Sequence, residues 1–420
     1  MFEHSKIIAG LEIGTSKICI VVGEQNAAGL LNIIGVGQAH SRGVRKGEII
    51  NPEYVAEDLR AAIVEAEQMA DVEIRSVYLG VTGGHIRGLN SRGVQPVVST
   101  DREISQEDVE DVVKIAKAIN LPAENSVIHT VRQHFHVDGQ AGVTDPVGLL
   151  GARLEVDMHV IHGNANRLQN IFRIVRAMGL DVEDMVFNGI ASSLALLTNE
   201  QKELGALVID IGAGTTEFVA YSDGVIRHSG VLAVGGDHVS NDLAYGLKIS
   251  LSRAEKLKVE HGSALVTESA KGQTISLATE LGHEFKRIKV EHLQIIMSLR
   301  LEEIFKLIAQ DLEQAGLTNY LRAGVIICGG SSRVTGIVTL AENVFHLNVT
   351  TGHAIAISGL SDTLNQPEFT TAIGLVKYGA LRQLKKPPPL SILGLIKELV
   401  AKIAATLKRI FKRDRTKNSE

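Results

Sequence analysis

Tryptophan is absent from this chain, and aromatic residues make up only 4 % of it. A surface so poor in rings offers no platform for stacking bases, which argues against a nucleic-acid binder. Cysteine is almost as scarce. Cys19 and Cys328 stand 309 positions apart, each inside an apolar run. A disulfide scaffold and a cysteine-held zinc are therefore excluded, and a reducing compartment is expected. Long apolar runs are missing as well. No stretch approaches the ~18 uncharged apolar residues of a membrane-spanning helix. The run from Ile7 to Leu11 is stopped by Glu12, too early for a signal-peptide core.

What is present reads as globular. Hydrophobic residues are 45 % and charged residues 22 %, which excludes a disordered, collagen-like or acidic-tail protein. At 420 residues the chain suits about two to four domains and a core that needs no staples. Charge is uneven. From Leu390 to Glu420 eight basic residues stand against three acidic ones, so the tail is +5 and the rest of the chain −10. An acidic body disfavours nucleic acid, and a basic tail on it reads as an attachment device.

The body alternates strands, glycine turns and helices. Lys6 to Val22 reads as strand, turn and strand, Leu30 to Gly37 as a third strand, and Ile74 to Val81 as a fourth. Between them Pro52 to Met69 is a helix, with Asn51 as N-cap and Pro52 at its first position. The order returns later: Leu204 to Ala213, Thr216 to Ser222 and Val225 to Ala233 are strands, a helix begins in His238 to Tyr245, and Val325 to Cys328 is a further strand. The chain thus holds two α/β halves, each opened by a glycine-turn hairpin. Between Gly83 and Gly163 the composition changes. Asp101 to Lys117 contains a helix capped by Ser105 with Asp108 three residues on, accompanied by strand-like runs at Ser126 to Val137 and Leu149 to Ile161, as in an inserted module. Lys385 to Pro389, K-K-P-P-P, is a stiff linker.

The glycine turns carry chemistry. One is G-L-E-I-G-T-S-K-I from Gly10, the other V-I-D-I-G-A-G-T-T-E-F from Val208. Small residues at Gly14, Gly212 and Gly214 let backbone N–H groups approach phosphate oxygens. Thr15, Ser16, Thr215 and Thr216 add hydroxyl donors. Glu12 and Asp210 cannot touch phosphate unaided, but they suit a water-held Mg²⁺, and Lys17 suits a β- or γ-phosphate. One such turn is an ordinary hairpin; two, opening two similar halves, point to a shared ligand. Gly329, Gly330 and Ser331 end a buried strand in A-G-V-I-I-C-G-G-S-S, where the chain can pass close to a flat base. Gly235 and Gly236 enter a helix in V-G-G-D-H. Glu255 and Lys258, three apart on a helix, suit either a ribose or a solvated ion pair. His134 and His136 share a strand face near His129, without the spacing of a third metal ligand.

The tail is amphipathic. At 100° per residue Ile392, Leu395, Ile396, Leu399, Ile403, Leu407, Ile410 and Phe411 share one face, while Lys408, Arg409 and Lys412 lie on the other. Charges interrupt it too often for a bilayer span. A basic polar face instead suits the headgroup plane of an anionic membrane.

Together these motifs resemble the actin-like ATPase superfamily of actins, MreB, heat-shock chaperones and sugar kinases. Within it the chain resembles the FtsA family of bacterial cell-division proteins. The most telling pieces are G-L-E-I-G-T-S-K at Gly10, S-R-G-V-R-K-G-E-I at Ser41, S-Q-E-D-V-E at Ser105 and D-P-V-G-L-L-G-A-R-L at Asp145. Glu12, where most of the superfamily has Asp, also resembles FtsA. The resemblance implies an α/β, actin-like (ribonuclease H-like) two-domain ATPase fold. Its subdomain 1A takes 1–82, 164–201 and 366–383, with 1C at 83–163 in place of 1B. Subdomain 2A takes 202–242 and 317–365, 2B takes 243–316, and a linker at 384–389 leads to a membrane-targeting helix at 390–413. Phe187 to Ser193 and Thr370 to Leu375 resemble the two interdomain connections.

The same resemblance implies ATP and Mg²⁺ as ligands, and self-association into filaments on the cytoplasmic face of the inner membrane at the septum. It implies as partners the C-terminal peptide of FtsZ and, through 1C, later division proteins. Asn188 falls where a water-orienting Gln or Glu stands in actins and MreB, so hydrolysis should be slow. Arg300 and Glu303 fall near the FtsZ-peptide contacts of the family; a solvated helix face is the competing reading. A sugar or acid kinase would need a substrate-side Asp base, and a chaperone would need a peptide-binding domain after the ATPase. Neither feature stands out, and neither reading accounts for the tail.

Overall fold

The computed structural model describes residues 6–26, 29–99, 101–278, 285–359 and 364–385. It divides into two units, 1–379 and 380–420. The chain opens with β1 (Lys6–Ile13), β2 (Lys17–Gln25) and β3 (Leu31–His40), then a small hairpin of β4 (Val44–Arg45) and β5 (Glu48–Ile49), α1 (Pro52–Ala70) and β6 (Ser76–Val81). The α1 cap is the one the sequence asks for. The Asn51 side chain accepts from the N–H groups of Glu53 and Tyr54, Pro52 stands at the first position, and Asp71 ends the helix in the left-handed conformation. Val55, Leu59, Ala62 and Ala66 form its buried stripe.

The module inserted in the first half is β7 (Arg87–Pro96), α2 (Gln106–Lys117), β8 (Asn125–Val137), β9 (Gln140–Val143) and β10 (Arg153–Asn164). Its four strands pair in the order β7-β10-β8-β9. Ser105 and Asp108 form the expected capping box at the start of α2. The module has its own core, built on Phe135, Leu154, Val156, Val112 and Ala116.

After α3 (Ala165–Ala177), β11 (Asp181–Phe187), α4 (Asn188–Leu196) and α5 (Asn199–Leu204), the second half begins. It comprises β12 (Ala206–Ile211), β13 (Thr216–Ser222), β14 (Val225–Leu232), α6 (Gly236–Leu247), α7 (Leu251–His261), β15 (Thr274–Ala278), β16 (Phe285–Lys289) and α8 (Val290–Gln314). It continues with β17 (Val325–Cys328), α9 (Ile337–Phe345) and β18 (Val349–Thr351). The chain then returns to the first half with β19 (Ser358–Gly359) and α10 (Thr370–Lys385).

The repeat is one of topology over five strands in each half, with β19 added at the edge of the first. The first sheet runs β11-β6-β1-β2-β3-β19 and the second β14-β13-β12-β17-β18. In each, an antiparallel three-strand meander is extended by two parallel strands. α4 and α10 cross at Gly374, where a Cβ would fall far inside contact distance of the Ala191 carbonyl. Positions 384 and 385, expected in the linker, are helical. The linker's remainder and the amphipathic segment 390–413 lie outside the described residues. Among the described residues no helix is long and apolar enough to cross a membrane.

Candidate functional site

The two glycine turns close in the same way. The Gly14 N–H donates to the Lys17 carbonyl and the Gly212 N–H to the Thr215 carbonyl, each at 2.9 Å. In register, Glu12 pairs with Cys19 and Asp210 with Glu217. The second turn is backed by the start of α6, whose Gly236 N–H donates to the Gly212 carbonyl at 2.9 Å and Asp237 N–H to the Ala213 carbonyl at 2.8 Å. Beside it, β17 ends at Gly329, in the left-handed region at φ +82°. A Cβ there would crowd the Asp210 carboxylate.

These turns meet across a cavity of about 650 Å³. Glu12, Gly14, Thr15, Ser16 and Lys17 line it from the first half, with Asn188. From the second half come Asp210, Gly212, Gly214 and Thr215, then Gly236, Glu255 and Lys258, and Gly329, Gly330 and Ser331. Val239, Val259, Met297, Leu301 and Val334 give its far end an apolar wall.

Two expected members do not reach it. The Thr216 hydroxyl donates to the Val234 carbonyl at 2.8 Å, because a strand alternates faces and sends Thr215 and Glu217 to the cavity and Thr216 to the core. Gly235 backs onto the Gly212 carbonyl rather than facing the cavity. The sequence reading also missed members. Thr82, Glu217, Asp237, Arg333, Glu368 and Thr371 all line the cavity. Glu217 had a signal, since it stands two places after Thr215 on a strand. Thr82 follows a plain apolar strand and Glu368 follows no pattern.

The site is rich in buried acid. Asp210 accepts from Ser192 Oγ at 2.6 Å and from Thr371 Oγ1 at 2.7 Å, so α4 and α10 each turn a hydroxyl onto this carboxylate. Glu12 Oε2 is shut off from solvent without a hydrogen-bond partner among the described residues, as is Asn188 Oδ1. Burial pushes Glu12 up to about 7, with Lys17 opposing and Asp210 adding to the rise. Glu217 is raised as well, by burial first and then by Asp210, while it accepts a short hydrogen bond from Thr82 Oγ1. Cations are fewer, and they are engaged. Lys258 Nζ donates to Glu255 Oε2 at 2.7 Å and to the Gly236 carbonyl at 3.2 Å. Arg333 pairs with Glu368 at 2.7 Å. Lys17 donates to the Glu368 carbonyl and lies 4.1 Å over the Phe369 ring.

Comparison with known proteins decides the family. The chain is 38 % identical over 381 residues to cell division protein FtsA of Pseudomonas aeruginosa, covering 91 % of each chain. The chain belongs to the FtsA family. It is 35 % identical over 412 residues to the Escherichia coli cell division protein FtsA, covering 96 % of each. The FtsA family model, "Cell division protein FtsA", matches residues 207–374, and that of the "SHS2 domain inserted in FTSA" matches residues 83–162. Solved structures share the actin-like fold. The PilM–PilN type IV pilus biogenesis complex gives a TM-score of 0.64 at 17 % identity, over 89 % of this chain and 98 % of that one. MreB5 of Spiroplasma citri bound to ADP gives 0.55 at 12 %, over 91 % and 99 %.

Away from the cleft, the FtsA-type module is locked to the second half. His159, wholly buried, bridges Asn90 Oδ1 at 2.7 Å and Ser229 Oγ at 2.8 Å. Gln133 Nε2 donates to the Ile226 carbonyl at 2.6 Å. Among the described residues no histidine cluster suits a metal: His136 pairs with Asp157 at 2.9 Å, and His129 Nε2 accepts from the Phe187 N–H at 3.0 Å. On α8, Arg300 holds Asp242 at 2.5 and 3.1 Å and also pairs with Glu303.

Proposed function

We propose that this chain binds ATP with Mg²⁺ in the cleft, self-associates, and tethers FtsZ filaments to the cytoplasmic face of the inner membrane at the division septum. The observation that carries the reading is the pair of matched turns facing each other across one cavity, in a member of a cell-division family. Gly14 to Lys17 and Gly212 to Thr215 cradle phosphates through backbone N–H groups and hydroxyls. The apolar wall and Gly329-Gly330 receive the base, with Glu255 and Lys258 at the ribose. MreB5 of Spiroplasma citri, which shares the fold, is bound to ADP.

The donor set fits magnesium. Glu12 has a buried oxygen in want of a partner, Asp210 stands on the facing turn, and Mg²⁺ favours one or two carboxylates beside phosphates with waters retained. When bound, the metal would neutralise charge shared between the outer phosphates. Asn188 is one methylene shorter than a water-orienting Gln, so the attacking water is poorly positioned, turnover is slow and the nucleotide acts as a clamp on the two halves. The subdomain boundaries follow the FtsA pattern given above, with the module at 83–163 meeting later division proteins. Arg300 and Glu303 meet the FtsZ peptide by exchanging the Asp242 partner for one of its carboxylates. The apolar face from Ile392 to Phe411 lies in the membrane.

Liposome co-sedimentation tests the tether. The chain and a variant carrying Ile396→Asp and Ile403→Asp are spun with anionic vesicles, with and without FtsZ. The reading predicts that the unsubstituted chain pellets and brings FtsZ down, whereas the variant and its FtsZ stay in solution. Equal recovery of both chains in the supernatant rejects it.

A further inference from the structure

The cleft has a supply of acid and a shortage of free cations. Glu12, Asp210, Glu217, Asp237 and Glu255 line it, while Lys258, Arg333 and Lys17 are held by partners of their own. A triphosphate brings about four further negative charges, and a single Mg²⁺ offsets only two. Among the described residues an exposed cation with no ion pair, Lys46, sits at the tip of the hairpin formed by β4 and β5.

That hairpin spans both turns. Val44 pairs with Ile49 and Arg45 with Glu48, leaving Lys46 and Gly47 as a two-residue loop at φ +53° and +74°. This is the geometry of a type I′ turn, whose twist matches the strands. The Gly47 N–H donates to Thr15 Oγ1 of the first turn at 3.1 Å. That bond fills one acceptor position on the oxygen and leaves its O–H free to donate elsewhere. A Cβ on Gly214 of the second turn would meet Lys46 N and Cα at 2.9 Å, so the backbone of the tip rests directly on that turn. The base is pinned too. Arg42 clamps Asp58 at 2.6 and 2.8 Å, and the Ile50 N–H donates to the Gly43 carbonyl at 2.8 Å. Lys46 is exposed and has no ion pair or side-chain hydrogen bond among the described residues. Its charge is felt at the start of α6, where His238 is held below its ordinary value by burial first and by Lys46 next.

We infer that the β4–β5 hairpin is a specificity device for the terminal phosphate: its tip orients the Thr15 hydroxyl, and Lys46 supplies the cation that separates a nucleoside triphosphate from a diphosphate. The inference rests on the nucleotide reading of the cleft. A charge-assisted contact made only to the third phosphate changes ATP affinity about tenfold or more and leaves ADP untouched.

The test is calorimetric titration of the full chain with Mg-ATP and with Mg-ADP. Lys46→Asn keeps a residue at ease in the left-handed region and removes the charge. It should weaken ATP about tenfold and move ADP less than twofold. Lys46→Arg should restore ATP to within about threefold, and Arg45→Gln, one place down the arm, should change neither. Gly47→Ala, whose Cβ would press on Thr82 Cγ2 at 2.9 Å, displaces the tip and should also cost ATP more than ADP. An ATP-to-ADP ratio unmoved by Lys46→Asn, or an equal loss of both ligands, overturns the inference while leaving the cleft reading intact. An unsubstituted chain that binds neither nucleotide overturns the cleft reading and this inference with it.

Discussion

Glu12→Gln should stabilise this protein at pH 8 and do little for it at pH 5. Glu12 is the carboxyl whose buried Oε2 lacks a partner, and burial raises it from 4.5 to about 7. A carboxyl raised in the folded chain keeps a proton that the unfolded chain has released. Its contribution is intact below about 4.5 and is lost as the pH rises through about 7. At about 1.4 kcal/mol per tenfold change in proton affinity, that interval bounds the effect at about 3.5 kcal/mol. The cleft admits water, so screening and the amide's own unpaired donors reduce it to about 2 kcal/mol. Urea unfolding without metal or nucleotide reads it. With a slope near ~3 kcal/mol per molar for a chain this long, the variant's midpoint should exceed the unsubstituted one by roughly 0.5–1 M at pH 8. At pH 5 the gap should shrink to a small fraction of that. Saturating Mg-ATP should reverse the order at pH 8, because the cation favours the ionised Glu12 and has less to hold in the variant. A midpoint difference that is the same at both pH values, or a variant weaker than its parent at pH 8 without ligand, refutes the reasoning.

Two further outcomes follow from the packing. Gly374→Ala should cost at least about 3 kcal/mol or prevent folding, even though alanine ordinarily gains ~1 kcal/mol over glycine in a helix. The added Cβ would strike the Ala191 carbonyl, a backbone atom that cannot turn aside, and thermal unfolding measures the loss. His159 is held down to about 3, first by burial and then by His228. Its contribution is present above about 6.5 and is lost as the pH falls toward about 3. His159→Gln should cost about 2 kcal/mol at pH 7 and almost nothing at pH 5, read as the narrowing gap between the two unfolding midpoints.

Much of the frame was legible because its signals are local. Asn51-Pro52 and the Ser105–Asp108 box are read from spacing alone. Both hairpin turns announce themselves by a glycine between apolar strands. The exclusion of Thr216 was within reach, since Ile211 pairs with Thr216 in the register and period-two alternation then places Thr215 and Glu217 on the other face. Tertiary partners were not legible. Lys17 spends its charge on the carbonyl of Glu368, 351 positions away, and Arg300 on Asp242, 58 positions away. No pattern in sequence links those positions; only the return of the chain through α10 and the packing of α6 on α8 bring them together.

The central claim is that the cleft between the halves is a magnesium-nucleotide site, and titration of the full chain with ATP tests it most directly. The account predicts one site per chain, at least tenfold weaker binding when magnesium is removed, and loss of that magnesium dependence in Asp210→Asn. Absence of binding at millimolar ATP, or binding indifferent to both magnesium and Asp210, would contradict it.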